Sequence, residues 1–194
     1  MPQITRESLL SLESYARQRA EFRVRVMAHK KNRTLHVGSN VTLIFEDELT
    51  VRYQIQEMLR IERTFEESGI VGELDAYNPL VPDGSNWKAT MLIEYPDVDD
   101  RQLWLARLIG IEDRVWVQVA GNERVFAVAD EDLERENEQK TSSVHFLRFE
   151  LNETMKAALR GGADVAAGID HPQYEALVSP VPGNIRMSLC GDLD

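Results

Sequence analysis

The sequence predicts an α+β protein with a mainly antiparallel sheet and helices packed on it. Short runs of alternating apolar and polar residues are joined by Gly and Asn turn signals, which is typical of β-hairpins. Segments with helical periodicity interrupt these strands irregularly, without the regular β-α-β alternation of a doubly wound parallel fold. A length of 194 residues with 43% hydrophobic content fits one domain covering residues 1–194.

The first third of the chain predicts a helix, a hairpin with a third strand, and a long helix. Thr5 can cap the first helix, and Gly69 stands where a C-terminal cap would end the long one. The segment 29–33 is the predicted hairpin turn. In order, these elements are a helix over 6–20, strands over 22–28, 34–37 and 41–45, and a helix over 48–68.

The remaining chain predicts further strands and shorter helices. Two prolines and an Asp-Gly pair predict a loop with defined turns over 75–88. The charged stretch 130–141 is predicted to cover the surface, and the tail from His171 is predicted to be irregular apart from one helix. The strands are predicted over 89–95, 115–119, 124–129, 143–151 and 165–169, and the helices over 98–109, 152–161 and 184–193.

The net charge of −11 is distributed unevenly along the chain. Residues 1–40 carry a balance of +5, whereas residues 41–194 carry −16. An acidic body repels phosphate backbones, which excludes nucleic acid as the main partner. The basic run Arg23, Arg25, His29, Lys30, Lys31 and Arg33 has two interpretations: a site for a small anion or acidic partner, or a solvated hairpin that balances the acidic remainder.

Cysteine usage and hydropathy predict a soluble cytoplasmic protein. Cys190 is the one cysteine, so no internal disulfide can form and a reducing compartment fits. The start of the chain lacks the basic-then-apolar profile of a signal peptide. No segment approaches the roughly 18 apolar residues that a membrane helix requires, so membrane insertion is not expected.

Common catalytic signatures are absent from the sequence. It contains no GxGxxG, Walker phosphate loop, GxSxG, HExxH or CxxC pattern. A single thiol also excludes zinc sites built on several cysteines. Candidate functional residues are therefore isolated polar residues on the otherwise apolar faces of predicted helices and strands.

Glu62 and Glu66 are the most suspicious such residues. On a continuous helix over 48–68, Glu62 falls inside the apolar stripe and Glu66 follows one turn later. A buried carboxylate requires a cationic partner, so Glu62 is expected to be buried and paired. His145 lies on the apolar phase of its strand. Either Glu62, Glu66 and His145 converge on a divalent metal such as iron or manganese, or the glutamates form salt bridges and His145 is a hydrogen-bonded core residue.

The loop over 75–88 holds the densest group of polar and aromatic side chains. Ligand contacts concentrate on such loops, but a turn anchored by a buried tryptophan explains the same residues. The candidate ligand-binding residues are Tyr77, Asn78, Asp83, Asn86, Trp87 and Lys88.

Several long runs resemble an uncharacterised bacterial family, domain of unknown function 3501. They include Tyr53-Gln-Ile-Gln-Glu-Met-Leu-Arg-Ile-Glu, Gly110-Ile-Glu-Asp-Arg-Val-Trp-Val-Gln-Val-Ala-Gly and Lys140-Thr-Ser-Ser-Val-His-Phe-Leu-Arg-Phe-Glu. The similarity covers nearly the whole chain. Members tend to be encoded beside a rubrerythrin and an iron–sulfur oxidoreductase, so the resemblance implies a cytoplasmic redox or peroxide-handling context.

Two classes of function follow. The first is an accessory or ligand-binding protein of that redox system, with the rubrerythrin and the iron–sulfur oxidoreductase as partners. The alternative is a metal-dependent enzyme or metal carrier built on a Glu/His site. Both are compatible with a homo-oligomer, and neither assigns a reaction or substrate.

Overall fold

The computed structural model describes residues 3–133, 135–137 and 139–194, and it confirms the α+β class. Within these residues the helices are α1 (Leu12–Lys30), α2 (Glu48–Glu62), α3 (Glu67–Tyr77), α4 (Val98–Arg107), α5 (Glu153–Arg160) and α6 (Gly183–Cys190). The strands are β1 (Thr34–His36), β2 (Val41–Glu46), β3 (Asn86–Ile93), β4 (Val115–Val119), β5 (Arg124–Phe126), β6 (Val128–Ala129), β7 (Val144–Glu150), β8 (Val165–His171) and β9 (Tyr174–Val178). No described helix is long and apolar enough to cross a bilayer.

The strands form two sheets in which every pairing is antiparallel. One has the order β1-β2-β3-β7-β6, and the other has the order β5-β4-β8-β9. Alternate residues of both sheets, among them Phe45, Trp87 and Val117, enter one shared hydrophobic core. A smaller core lies among the N-terminal segment, α2 and α3, and it includes Ile55 and Leu74.

The segment 22–28, predicted as a strand, is instead the second half of α1. Tyr15, Phe22 and Val26 recur at helical spacing, and the Phe22 ring meets the edges of Tyr15 and of Tyr53 on α2. Val24, which a half-buried strand would bury, is 70% exposed. The alternating pattern predicted a strand, but Phe22 and Val26 are also one helical turn apart. They therefore fit equally well on a helix that buries only one narrow face.

Helix α2 begins where predicted but ends at Glu62, because Arg63 takes a left-handed conformation with φ 54°. The predicted stripe of Val51, Ile55 and Leu59 is buried. Glu62 falls at the helix end and is exposed, so the prediction that it is buried and paired is wrong. Gly69 lies inside α3 and caps nothing.

Three other stretches depart from the prediction. The loop over 75–88 is shorter than expected, because α3 runs through Tyr77 and β3 already starts at Asn86. The tail contains β9, an edge strand whose pattern of partial burial gives a weak signal. In the stretch 130–141, Glu134 and Glu138 lie outside the described residues; its ends, Asp130 and Thr141, turn inward rather than covering the surface.

Arg33, read from the sequence as part of a solvated basic hairpin, is 1% exposed. Its guanidinium donates to the carbonyls of Phe45 (2.8 Å) and Glu46 (2.9 Å) and to the Asp192 carboxylate (2.5 Å). It thereby ties the start of the five-stranded sheet to the C-terminal segment after α6. The basic run therefore does not form one continuous exposed surface.

Candidate functional site

A buried cluster surrounds His145 on β7. Strand alternation sends His145, Leu147 and Phe149 to the core side. His145 pairs in register with Met91 of β3 and is 0% exposed. The prediction that this histidine lies on the apolar face is confirmed.

Asp130 holds one nitrogen of the imidazole. It follows β6 with φ 48°, a left-handed conformation that non-glycine residues seldom adopt. Its Oδ2 lies 2.6 Å from His145 Nδ1, and its Oδ1 accepts from the Phe146 backbone N–H at 2.9 Å. Arg135 Nε lies 3.1 Å from Oδ1 without hydrogen-bond alignment. The carboxylate therefore fixes the ring orientation of His145.

The other imidazole nitrogen faces only oxygen atoms. His145 Nε2 lies 2.9 Å from Thr141 Oγ1, 3.1 Å from the Ser142 carbonyl and 3.9 Å from Glu112 Oε2. Glu112 sits in the single turn Glu112–Arg114 that leads into β4, so it reaches the cluster from the other sheet.

Glu112 is the unusual member of the cluster. Its side chain is 8% exposed, and Oε2 has no hydrogen-bond partner among the described residues. Burial raises the pKa of this carboxyl above its ordinary value. Buried carboxylates are normally paired, so this oxygen marks a position where a cation or a proton donor fits.

Glu112, Asp130 and His145 offer one ligand atom each within 4.8 Å of one another, the spacing of a metal-ion site. Sequence reasoning found His145 but missed the other two residues. Glu112 stands in a short turn and Asp130 at the end of a charged stretch, where periodicity carries no signal. Asp130 is brought close by the pairing of β6 with β7, and Glu112 by the packing of the second sheet.

The glutamates that the sequence predicted as ligands lie elsewhere. Glu62 ends α2 and Glu66 precedes α3, and both are exposed. Within the described residues, the metal-type cluster around His145 contains neither of them. The structure therefore does not bring Glu62, Glu66 and His145 together.

A groove of about 460 Å³ runs between the outer face of the five-stranded sheet and the α2–α3 layer. Among the predicted ligand residues, Tyr77 and Lys88 line it. Phe146, the neighbour of His145, forms part of its floor, and Arg135 stacks over the Phe146 ring at 4.6 Å. Arg135 thus contacts both the groove and the His145 cluster.

The other four predicted ligand residues form hydrogen bonds within the protein that stabilise its fold. The Asn78 side chain is bonded to the backbone of Ile4 in both directions, and Asp83 closes a turn by accepting from Ser85 N–H. Asn86 donates to Glu150. Trp87 is 0% exposed, and its indole N–H donates to the Leu189 carbonyl at 3.0 Å.

The fold and the cluster define an α+β protein of two facing antiparallel sheets with a candidate metal centre between them. The chain belongs to the family described as "Protein of unknown function (DUF3501)", whose model matches residues 3–193. The resemblance seen in the sequence is thereby confirmed.

One solved structure, described as a novel protein of unknown function from Burkholderia pseudomallei K96243, is 54% identical to the chain. The match covers 100% of both chains with a TM-score of 0.95. No functionally curated protein gives a significant match. Neither of the two matching descriptions names an activity, cofactor or partner.

Proposed function

We propose that the protein binds one divalent metal ion, manganese or iron(II), between His145 and Glu112. His145 Nε2 and Glu112 Oε2 supply the side-chain ligands, and the Thr141 hydroxyl and Ser142 carbonyl supply two further oxygens. Asp130 binds the opposite imidazole nitrogen and keeps Nε2 free to ligate, an arrangement common behind metal-bound histidines. A set of one nitrogen and several oxygens suits these metals.

The observation that carries this proposal is the unpartnered Glu112 oxygen, because burying a carboxylate without a partner costs several kcal/mol. A cation beside it would remove that cost. Two ligands at about 2.1 Å and at right angles stand about 3 Å apart. The distances from His145 Nε2 to Thr141 (2.9 Å) and Ser142 (3.1 Å) fit that spacing, and Glu112 at 3.9 Å requires only a small side-chain movement.

The burial of the cluster favours retention of an ion over turnover of a substrate. His145 is 0% exposed and Thr141 is 1% exposed, so an outside molecule has no direct path to the ligands. We therefore propose an accessory, metal-retaining role rather than catalysis. The cytoplasmic redox or peroxide-handling system, with a rubrerythrin and an iron–sulfur oxidoreductase as partners, is part of this proposal and rests on the family resemblance.

Metal analysis tests the central claim. Chelator-treated protein is incubated with Mn²⁺, or anaerobically with Fe²⁺, desalted, and measured by elemental analysis. We expect about one equivalent bound and a higher melting temperature, since a ligand that binds only the folded state stabilises it. Glu112→Gln should abolish retention, whereas the adjacent exposed Asp113→Asn is the matched control and should retain the ion.

The Asp130→Asn variant tests whether Asp130 orients the His145 imidazole or binds the metal directly. Outer-shell partners of this kind contribute about 10–100-fold to metal affinity, so this variant should bind more weakly but still bind. Uptake below about a tenth of an equivalent by the unmodified protein would refute the metal proposal. Equal retention by the Glu112→Gln and Asp113→Asn variants would refute the assignment to this cluster.

Partnership is tested separately, with purified rubrerythrin and iron–sulfur oxidoreductase from the same organism. Metal-free and metal-loaded protein are each mixed with the two candidates at micromolar concentration and analysed by size-exclusion chromatography. Co-elution supports the accessory role. Separate elution in both metal states would remove the partner proposal and leave the metal proposal standing.

A further inference from the structure

Lys88 occupies the floor of the groove between the five-stranded sheet and the α2–α3 layer. Its neighbours Trp87 and Ala89 enter the core, so strand alternation sends Lys88 to the groove side. In register it faces Glu46 on β2 and Arg148 on β7. A lysine directly opposite an arginine on one sheet face is unfavourable unless negative charge lies nearby.

Three carboxylates near Lys88, those of Glu46, Glu131 and Glu150, already have partners. Glu46 accepts hydrogen bonds from the hydroxyls of Thr50 (2.5 Å) and Thr90 (2.7 Å). Glu131 accepts two bonds from the Arg148 guanidinium, at 2.7 and 2.8 Å, and Glu150 also pairs with Arg148. Among the described residues, the Lys88 ammonium forms no hydrogen bond or ion pair.

Arg135, on the rim of the same groove, is likewise engaged. It pairs with Asp132 at 2.5 Å and stacks over the Phe146 ring. Lys88 is therefore the cation in this groove that remains available to a ligand. Partial burial, and after it the charge of Arg148, lower the pKa of Lys88, and the opposite effect of the carboxylates of Glu131, Asp83 and Glu150 is smaller.

Beside its charged residues, the groove has an apolar part. Met58 and Leu80 come from the helical layer, and Phe146 comes from the sheet. A volume of about 460 Å³ falls within the usual range for small-molecule sites. A second cavity of about 270 Å³ shares Tyr77, Leu80 and Phe146 with the first and extends the apolar surface along the sheet.

We infer that this groove binds a small molecule with one carboxylate and an apolar body. The carboxylate pairs with the Lys88 ammonium and supplies the direct ion-pair partner that Lys88 lacks among the described residues. The aliphatic or aromatic body lies against Met58, Leu80 and Phe146. This site is on the opposite face of β7 from the metal cluster, so its ligand does not require the metal.

A matched set of probes tests the inference. Hexanoate combines the charge and the apolar body, hexanamide keeps the body without the charge, and acetate keeps the charge without the body. Binding is followed by two-dimensional amide NMR at probe concentrations up to the millimolar range. Hexanoate should bind at least about tenfold more tightly than either relative, with the largest shifts at Lys88, Phe146 and Leu80.

Variants of the chain locate the charge. Lys88→Met should weaken hexanoate binding at least about tenfold, and Lys88→Arg should restore most of it. Lys31→Met removes an exposed lysine outside the groove and should change nothing. Melting temperatures of all variants establish that they are folded.

Three results would overturn the inference: equal binding of hexanoate and hexanamide, unchanged binding by Lys88→Met, or no hexanoate binding at all. Because the probes are added to metal-free protein, failure here leaves the metal proposal untouched. Conversely, loss of metal binding in Glu112→Gln should leave hexanoate affinity unaltered.

Discussion

Two buried clusters in this protein place a nitrogen-bearing side chain beside carboxylates, and they differ in how completely their polar atoms are satisfied. In the first, Arg33 donates to two backbone carbonyls, to Ser188 and to both oxygens of Asp192. In the second, His145 engages Asp130 and Thr141 while Glu112 Oε2 has no partner within the described residues. Both are nearly closed to solvent.

This difference distinguishes buried charges that stabilise the fold from those that do not. Every nitrogen of Arg33 is used, so the cluster is complete and its removal should only destabilise. The cluster around His145 is complete on its Asp130 side and incomplete on its Glu112 side. An incomplete buried cluster lowers stability, and departures of this kind are common at functional sites.

The largest expected effect comes from breaking the complete cluster. Arg33→Met leaves Asp192 buried without its cation, which should lower the free energy of unfolding by about 3–5 kcal/mol. Urea denaturation followed by circular dichroism measures this loss. Arg6→Met, which removes the exposed Arg6–Glu67 pair, is the control and should cost at most about 1 kcal/mol. A loss for Arg33→Met as small as the control's would show that the cluster is not structural.

A matched pair of carboxylate-to-amide changes compares the two clusters directly. Asp192→Asn removes the negative charge that pairs with Arg33 and should lower the free energy of unfolding by about 2–4 kcal/mol. Glu112→Gln changes a carboxylate whose Oε2 has no hydrogen-bond partner among the described residues, so the stability of metal-free protein should be unchanged or higher by about 1 kcal/mol. Parallel urea titrations of chelator-treated variants give both values. A destabilisation by Glu112→Gln equal to that of Asp192→Asn would contradict the contrast.

The fold class and much of the topology could be predicted from the sequence, since alternation and turn signals are local. Strands β2, β4 and β7 fall close to where the pattern places them. The second half of α1 was predicted as a strand because Phe22 and Val26 fit both an alternating pattern and one helical turn. The break between α2 and α3 was not predicted because Arg63 in a left-handed conformation gives no signal in the composition.

The candidate site was harder to predict than the fold. His145 stood out as a polar residue on an apolar strand face, and Lys88 and Tyr77 as part of a polar aromatic loop. Glu112 and Asp130 lie in turns, where residue spacing says nothing about direction. Asp130 reaches His145 because β6 pairs with β7 in one sheet, whereas Glu112 reaches it from the turn before β4 of the other sheet. Both approaches depend on long-range contacts of the fold.

A third cluster shows the effect of satisfying a carboxylate near the surface. Hydrogen bonds from Arg19 foremost, and from Tyr15 and Arg60, lower the pKa of Glu57 from 4.5 to about 2 despite partial burial. A lowered pKa means that this stabilisation is complete above about pH 4.5 and is lost as the pH falls towards 2. The pKa of Glu112 is instead raised by burial, so protonation of Glu112 in acid should not lower the stability of the folded protein.

The free energy of unfolding, measured as a function of pH, tests this contrast. Between pH 5 and pH 2.5, the free energy of unfolding of the unmodified protein should fall by about 1–3 kcal/mol more than that of the Glu57→Gln variant. Glu57→Gln should instead be less stable at neutral pH by a similar amount, since Arg19 loses its bidentate partner. Identical pH slopes for the two proteins would mean that the Arg19–Glu57 pair adds no net stability.

The smallest expected effect concerns the two glutamates that the sequence made most suspicious. Glu62 and Glu66 are exposed at the junction of α2 and α3, so replacing either with glutamine should change stability by no more than about 0.5 kcal/mol. Both variants should also retain whatever metal the unmodified protein retains, because the cluster at His145 includes neither. Elemental analysis beside the Glu112→Gln variant decides the matter. Metal lost from Glu62→Gln but kept by Glu112→Gln would move the metal site to the helix junction and return the convergence of Glu62, Glu66 and His145 to consideration.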